Sequence, residues 1–272
     1  MMKIGLVAGG GALPALLEKA ASVKGVELVI VALDGMADAS FQTETVCHLA
    51  LTELDSIIAY FKSEGVSDII LAGKVTRPDM SAGAKIDAST AALLAQTLPL
   101  GDDAALRAVL QFLQTSGLNV IPLQAVLSDH VLEADFDSEA GTDMPHDMVA
   151  LALKAHEQLS PLDCGQALLL QGQRLLAIEA AEGTDEMLAR ATSLSVKGAG
   201  SVMFFKASKT TQNKLLDPPV FGMATLQHCV AAGVSLIALE AKHCIIAAPL
   251  DEVLAFCKAH QMRLISVTCE AG

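Results

Sequence analysis

The chain has no tryptophan and one tyrosine, and aromatic residues make up only 3% of its 272 positions. Its core must therefore be built from aliphatic side chains and methionine, while an apolar fraction of 52% excludes a disordered chain. Positive charge is also scarce, because 18 lysines and arginines face 31 acidic residues, for a net charge of −13. Nucleic acids bind basic surfaces, so this balance excludes a nucleic-acid partner.

Other absences narrow the function further. The sequence has no run of about 18 apolar residues that would predict a membrane-spanning helix, and Gly9, Gly10 and Gly11 interrupt the apolar start too early for a signal peptide. The six cysteines form no C-x-x-C pair, which argues against a zinc ribbon or a thioredoxin motif. A P-loop and a G-x-S-x-G serine elbow are also missing. We expect a cytoplasmic protein with reduced, structural cysteines.

The first half of the chain alternates short apolar runs with amphipathic stretches. The apolar runs lack a polar face and predict strands covered on both sides, at residues 3–8, 28–33, 69–72 and 119–123. Helices are predicted over residues 12–23, 53–63 and 103–114. This alternation predicts a Rossmann-like parallel sheet for residues 1–130.

The pattern changes after residue 130. Residues 131–162 open with an acidic stretch that lacks apolar periodicity and continue into a helical pattern, which predicts a linker with a connecting helix. Residues 163–272 begin with a hairpin-like pattern and then mix strands and helices. The fold class is therefore α/β with two domains, an N-terminal Rossmann-like parallel sheet and a C-terminal α/β domain.

Glycines and cations follow two of the predicted strands. The segment VAGGGALP places Gly9, Gly10 and Gly11 between a strand and a helix, where backbone amides and a helix N-terminus favour phosphate. The segment LAGKVTRP places Lys74 and Arg77 at the end of another strand, where ligands bind in open parallel sheets. A tight turn and ordinary surface cations are the alternative interpretation.

Acidic residues and lysines are grouped in three later segments. Asp102 and Asp103 in LGDD suit a helix cap or a magnesium ligand. Thr184 and Asp185 in EAAEGTDEML suit a helix start. The loop KASKTTQNKLLDPPVFG surrounds one carboxylate with lysines, which suits a polyanion with a metal ion or a water, although a surface loop is the alternative.

Taken in order, five segments resemble the bacterial UDP-2,3-diacylglucosamine pyrophosphatases of the LpxI family: VAGGGALP, AGKVTRP, GDDAALRAVL, AIEAAEGTDEML and KASKTTQNKLLDPPVFGMAT. The resemblance covers nearly the whole chain. It implies hydrolysis of UDP-2,3-diacylglucosamine to 2,3-diacylglucosamine 1-phosphate and UMP with Mg²⁺, a step of lipid A synthesis at the cytoplasmic face of the inner membrane. It also implies a substrate held between two domains, peripheral contact with that membrane, and a homodimer.

The resemblance implies site residues as well. Asp217, Lys206 and Gln212 would be catalytic, with Asp217 as the magnesium ligand. Substrate would be bound by Gly9, Gly10, Gly11, Lys74, Arg77, Asp102, Asp103, Thr184, Asp185 and Lys209. The loop departs from the family pattern at Asn213, where an acid is usual, and at Leu215, where an arginine is usual. The missing arginine removes a phosphate contact that Lys214 replaces only in part.

Two other functions stay open. Gly9, Gly11 and Asp34 suit an NAD(P)-dependent Rossmann oxidoreductase, although Pro14 stands where the third glycine of that fingerprint belongs. A non-catalytic protein that binds a nucleotide sugar or a lipid is the other alternative, because Asn213 and Leu215 alter the loop. Multiple-turnover kinetics separates the enzyme from the binder.

Overall fold

The chain folds into two compact units, unit 1 (Met1–Ser128) and unit 2 (Asp129–Gly272). The computed structural model describes residues 2–38, 40–43, 45–76, 85–97, 102–196, 198–210 and 218–269, with the backbone alone for residues 102–104. Residues 131–162, predicted as a linker and connecting helix, lie in unit 2. Within the described ranges, no helix is long and apolar enough to cross a lipid bilayer.

Unit 1 contains a parallel sheet of five strands in the order β3-β2-β1-β4-β5. Its strands are β1 (Lys3–Ala8), β2 (Glu27–Leu33), β3 (Val46–Leu49), β4 (Asp68–Ala72) and β5 (Asn119–Val120). Its helices are α1 (Leu13–Val23), α2 (Leu54–Ser63), α3 (Ala88–Thr97) and α4 (Asp102–Thr115), and a short 3₁₀ turn follows at Leu123–Ala125. A second 3₁₀ turn, Ser128–His130, includes the last residue of unit 1 and the first two of unit 2.

The sheet of unit 1 is covered on both faces, as its apolar runs predict. Six of the seven residues of β2 are buried, and α2 buries Leu54, Ile57, Ile58 and Phe61 along one face at helical spacing. The strand order reverses between β1 and β4, and in open parallel sheets the crevice at such a reversal receives ligands. The glycines after β1 and Lys74 after β4 lie at this point of the sheet.

Two elements of unit 1 were not predicted, and one strand is shorter than predicted. Strand β3 is a four-residue edge strand without a buried residue, and α3 has only a weak apolar face. The predicted strand over residues 119–123 ends at Val120. Pro122 follows and has no N–H to donate to a neighbouring strand, so the ladder stops there.

Unit 2 contains a mixed sheet in the order β12-β10-β8-β6-β7 and a separate parallel pair, β11-β9. The strands are β6 (Ala167–Gln171), β7 (Arg174–Ile178), β8 (Val202–Lys206), β9 (Val220–Phe221), β10 (Leu236–Glu240), β11 (Ile245–Ile246) and β12 (Arg263–Val267). The helices are α5 (His146–Leu159), α6 (Thr184–Ala191), α7 (Met223–Ala231) and α8 (Leu250–Ala259), with a 3₁₀ turn at Ser160–Leu162.

Alternate side chains of β8 enter two different cores, because successive residues of a strand point to opposite faces of the sheet. Val202 and Phe204 belong to a buried cluster that includes residues of α6, α7 and α8. Met203 and Phe205 belong to a second cluster, which includes Met148 of α5. Both faces of the sheet are therefore packed with apolar side chains.

Four strands bring their ends to one edge of this sheet. Strands β8 and β10 are parallel, so they end together, and Lys206 pairs with Leu239, the residue before Glu240. Strand β6 runs antiparallel to β8, so Ala167 at its start pairs with Lys206. Strand β7 returns beside β6 and ends there as well. Lys206, predicted as the first residue of a loop, is in fact the last residue of β8.

Candidate active site

The glycine segment of unit 1 is bonded to its neighbouring loops through all three backbone amides. Gly9 N donates to Ala72 O at 2.8 Å, and Gly10 N donates to Lys74 O at 2.9 Å. Gly11 N donates to the Asp38 carboxylate at 2.9 Å. The N–H groups that the sequence assigned to phosphate thus have protein acceptors in this structure.

Close approach explains why glycines occupy these positions. A Cβ atom on Gly9 would lie 2.5 Å from Lys74 O, and one on Gly10 would lie 2.8 Å from Met36 O. The loops after β1, β2 and β4 therefore touch through bare backbone. The side chain of Lys74 is exposed beside this contact, and its part in substrate binding, like that of Gly9, Gly10 and Gly11, stays a prediction.

The sheet edge of unit 2 places a buried lysine among polar groups. Lys206 is only 6% exposed, and its Nζ donates to Thr184 Oγ1 at 2.6 Å. Thr184 is the first residue of α6, and its hydroxyl donates to Glu179 Oε1 at 2.9 Å. A buried ammonium requires such partners because leaving water is costly for a charge. The structure thus brings together Lys206 and Thr184, two residues that the sequence analysis selected.

Asp185 and Lys209 are also held within unit 2. Thr225 in the first turn of α7 donates its hydroxyl to Asp185 Oδ1 at 3.0 Å. Lys209 Nζ forms an ion pair with Asp163 Oδ1 at 2.6 Å. The first contact joins the starts of α6 and α7, and the second joins the segment after β8 to the segment before β6.

The backbone of Ser208, two residues past Lys206, is fixed on both sides. Its N–H donates to Glu240 Oε2 at 2.7 Å, and its carbonyl oxygen lies 2.7 Å from Nε2 of His156. The Oγ atom of Ser208 is buried and has no hydrogen-bond partner within the described residues. Ser208 and Glu240 were not selected from the sequence, although Ser208 stands between Lys206 and Lys209, which were.

The charged side chains at this edge affect the pKa values of two buried thiols, Cys229 and Cys244. Burial raises the pKa of Cys244 to about 12, with Lys206 lowering it and Glu240 raising it further. Burial also raises the pKa of Cys229, with Asp185 raising it and Lys206 lowering it. Lys206 is therefore close enough to act on both thiols, whereas Asp185 acts on Cys229 and Glu240 on Cys244.

The described residues do not by themselves form a magnesium site. In the ranges that the structure covers, no three histidine, cysteine, aspartate or glutamate side chains converge in a way that would hold a metal ion. Both carboxylate oxygens of Glu179 already accept hydrogen bonds from protein donors. A magnesium site at this edge would therefore need a further ligand.

Several predicted site residues lie outside the described part of the chain. Arg77, Gln212 and Asp217 are among them, and the side chains of Asp102 and Asp103 are not described. Glu179 was missed as a site residue, although it stands in the segment that contains Thr184. The available signal was an acid placed directly after an apolar strand and five residues before the start of a helix.

Comparison with known proteins identifies relatives across the chain. The family description "LpxI N-terminal domain" matches residues 3–130, and "LpxI C-terminal domain" matches residues 135–265. A protein from Caulobacter vibrioides, named UDP-2,3-diacylglucosamine pyrophosphatase LpxI, is 31% identical over 254 residues, which cover 89% of each chain.

Solved structures show only distant likenesses. Glycinamide-RNase-transformylase T from Mycobacterium tuberculosis is 12% identical with a TM-score of 0.25, and the match covers 66% of this chain and 43% of that one. N5-carboxyaminoimidazole synthase from Aspergillus clavatus is 12% identical with a TM-score of 0.27, covering 71% and 44%. The matched part of this chain spans less than half of either protein.

The two family descriptions together span residues 3–265, with a short gap. The Caulobacter relative is 31% identical over 89% of both chains. The chain belongs to the LpxI family.

Proposed function

We propose that this chain hydrolyses the pyrophosphate bond of UDP-2,3-diacylglucosamine, releasing UMP and 2,3-diacylglucosamine 1-phosphate in lipid A synthesis. The observation that carries the proposal is the match with the Caulobacter relative named for this activity, which extends over 89% of both chains. A match of this length includes residues of both units.

Electrostatics explains why the buried lysine matters for this reaction. The substrate's pyrophosphate is anionic, whereas the protein has a net charge of −13, so local cations must attract the substrate. Phosphoryl transfer depends mostly on positioning and on stabilising charge on the phosphate oxygens. Lys206 supplies a fixed ammonium at the edge where β8 and β10 end, and a preorganised charge needs little rearrangement during the reaction. Lys209, three residues further along the chain, adds a second cation, which is paired with Asp163.

Asp217 is proposed as the carboxylate that orients the attacking water and binds Mg²⁺. The support is the position of Asp217 in the loop that resembles the family's catalytic segment. A magnesium ion there would neutralise charge on the phosphate oxygens. Because the described carboxylates leave such a site incomplete, the proposal requires Asp217, and Gln212 is proposed as a second polar group of the same loop.

The direct test is incubation of the purified protein with UDP-2,3-diacylglucosamine, followed by mass spectrometry of both products. We expect many turnovers per protein in the presence of Mg²⁺ and none in the presence of EDTA. Substrate that binds without cleavage would instead favour the non-catalytic binder, for which the changes at Asn213 and Leu215 are the argument. Oxidation or reduction of NAD(P)H would favour the oxidoreductase.

A pair of variants separates Asp217 from a general loss of negative charge. We expect Asp217→Asn to lower kcat by about 100-fold or more, as for other acid–base groups, while substrate still binds. Glu182→Gln removes the same charge from a surface carboxylate that is paired with Arg190, and we expect it to leave kcat unchanged. Calorimetric titration with Mg²⁺ provides a second readout, since binding should weaken in Asp217→Asn alone.

We also propose that the protein acts in the cytoplasm, in peripheral contact with the inner membrane, and as a homodimer. The two acyl chains of the substrate favour a membrane-bound supply, because each buried CH₂ contributes about 0.8 kcal/mol. Sedimentation with vesicles that contain the substrate tests the contact. Light scattering coupled to size-exclusion chromatography tests the dimer, and a monomeric mass would contradict it.

A further inference from the structure

Glu179 is fixed in place by its own backbone and by both carboxylate oxygens. Its N–H donates to Ala167 O at 3.0 Å, and its carbonyl oxygen accepts from Gly165 N at 2.8 Å. One carboxylate oxygen accepts from Gln166 N at 3.0 Å, and the other accepts from Thr184 Oγ1 at 2.9 Å. With 9% of its surface exposed, this carboxylate has a single position.

The chain makes room for this carboxylate with a glycine. A Cβ atom on Gly165 would lie 2.1 Å from Cγ and 2.5 Å from Cδ of Glu179. Gly165 does not have a positive φ, so the backbone there suits other residues. The glycine is required by the space that Glu179 occupies, and not by a turn.

The direction of the hydrogen bonds between Glu179 and Lys206 is determined by chemistry. An ammonium group can only donate, so Lys206 Nζ donates a hydrogen bond to Thr184 Oγ1 at 2.6 Å. The hydroxyl of Thr184 has a single hydrogen, with which it donates to Glu179 Oε1. Thr184 therefore connects the ammonium of Lys206 to the carboxylate of Glu179. Both hydrogen bonds include a charged group, which strengthens and shortens such bonds.

We propose that Glu179 is a positioning residue, which holds the ammonium of Lys206 in its catalytic orientation through the hydroxyl of Thr184. Glu179 does not touch the substrate in this proposal. It sets where a neighbouring charge stands, much as residues behind a metal ligand orient that ligand. The inference rests on the proposed function for the role of Lys206, whereas the three-residue contact itself does not.

Four variants test the contact, with kcat measured per folded protein. We expect Glu179→Gln and Thr184→Val to lower kcat by about 10- to 100-fold, the range for supporting residues of this kind, with little change in KM. Thr184→Ser retains the hydroxyl and should restore most of the activity. Gly165→Ala should behave as Glu179→Gln does, because it displaces the same carboxylate. Glu182→Gln, the same change in a surface acid of the same segment, is the matched control.

The double variant Glu179→Gln/Thr184→Val distinguishes positioning from a purely structural role. Both changes break one chain of hydrogen bonds, so the double variant should be no slower than the slower single variant. The proposal would be overturned if the fall in kcat of the double variant equalled the product of the two single falls, or if Glu179→Gln left kcat unchanged. A structural role alone would lower the folded fraction and leave the rate per folded molecule unchanged.

A wild-type protein without turnover would refute the proposed function but would still leave a test of the contact. In that case, urea unfolding of Glu179→Gln, Lys206→Met and the double variant measures the coupling between the two charges. We expect clear non-additivity, because removing either partner leaves the other buried without its counterpart. Additive changes in unfolding free energy would show that Glu179 does not hold Lys206.

Discussion

Gly10 and Lys74 exchange two backbone hydrogen bonds, of 2.9 Å from Gly10 N and 2.8 Å from Lys74 N. This two-residue pairing joins the loop after β1 to the loop after β4 at the reversal of strand order in unit 1. Gly73 sits within it at φ +99°, and a Cβ there would lie 2.7 Å from Gly10 O. Backbone hydrogen bonds therefore couple the glycine loop after β1 to the start of the loop after β4.

The first prediction concerns this contact. We expect Gly73→Ala and Gly9→Ala to destabilise the protein by about 1–3 kcal/mol, because the new methyl group meets rigid backbone rather than a side chain that can move. Thermal unfolding followed by circular dichroism measures the change. Gly222→Ala is the control, since its Cβ would make an ordinary contact of 3.6 Å with Ala247 and its φ is −136°. Equal effects at Gly9 and Gly222 would contradict the explanation.

The second prediction concerns the pH dependence of the Asp137–Arg263 ion pair. Arg263 Nε donates to Asp137 Oδ1 at 2.9 Å and a second bond joins the same groups. Hydrogen bonding from Arg263 lowers the pKa of Asp137 below its ordinary value of 3.8. A lowered pKa stabilises the folded state above that ordinary value, and this contribution is lost as pH falls through the lowered pKa.

We therefore expect Asp137→Asn to destabilise the protein by about 3 kcal/mol at pH 7, as when one partner of a buried pair is removed. The difference in melting temperature from wild type should shrink as the pH falls below about 4. Melting curves of both proteins between pH 7 and pH 3 test this sign. A difference that grows on acidification would contradict it.

The third prediction concerns thiol reactivity. Burial raises the pKa of Cys244 to about 12 and that of Cys257 to about 11, and it also raises the pKa of Cys229. Because the thiolate is the reactive form, these three should resist a maleimide or disulfide reagent at pH 8 in the folded protein. The half-exposed Cys47, Cys164 and Cys269 should react first. Mass spectrometry of labelled peptides identifies the sites, and early labelling of Cys244 would be the contrary result.

The fourth prediction concerns the buried hydroxyl of Ser208. Since it has no partner within the described residues, Ser208→Ala removes an uncompensated polar group and should stabilise the protein by about 1 kcal/mol. Ser160→Ala is the matched control, because Ser160 Oγ donates to His156 O at 2.7 Å and accepts from Thr210 N at 3.2 Å. This control should be destabilised by a similar amount, and urea unfolding measures both changes.

Strand positions could be predicted wherever burial left a continuous apolar run. Residues 3–8 were predicted from end to end as β1, because a strand covered on both faces needs a nearly continuous series of apolar side chains. The helical spacing of Leu54, Ile57, Ile58 and Phe61 likewise predicted α2 to within one residue. The parallel sheet of unit 1 followed from the alternation of these elements.

The site could be predicted only in part, since its contacts join distant parts of the sequence. Lys206 looked like the start of a polar loop, because a charged residue is not expected inside a buried strand. Its place at the end of β8 depends on Thr184 and Glu179, which are 22 and 27 positions away along the chain. Sequence spacing does not reveal that pairing, whereas the antiparallel register of β6 and β8 produces it.

The register of β6 against β8 determines where the ammonium group of Lys206 lies. Side chains alternate along β8, so a slip by a single residue would turn Lys206 away from α6 and towards the apolar layer that contains Met203 and Phe205. The β6–β7 ladder already contains an irregularity between Leu169 and Leu170. A one-residue insertion or deletion within β6 or β8 would therefore move the ammonium out of reach of Thr184, whereas the irregularity affects only the β6–β7 pairing and the turn at Gly172 lies outside the β6–β8 register.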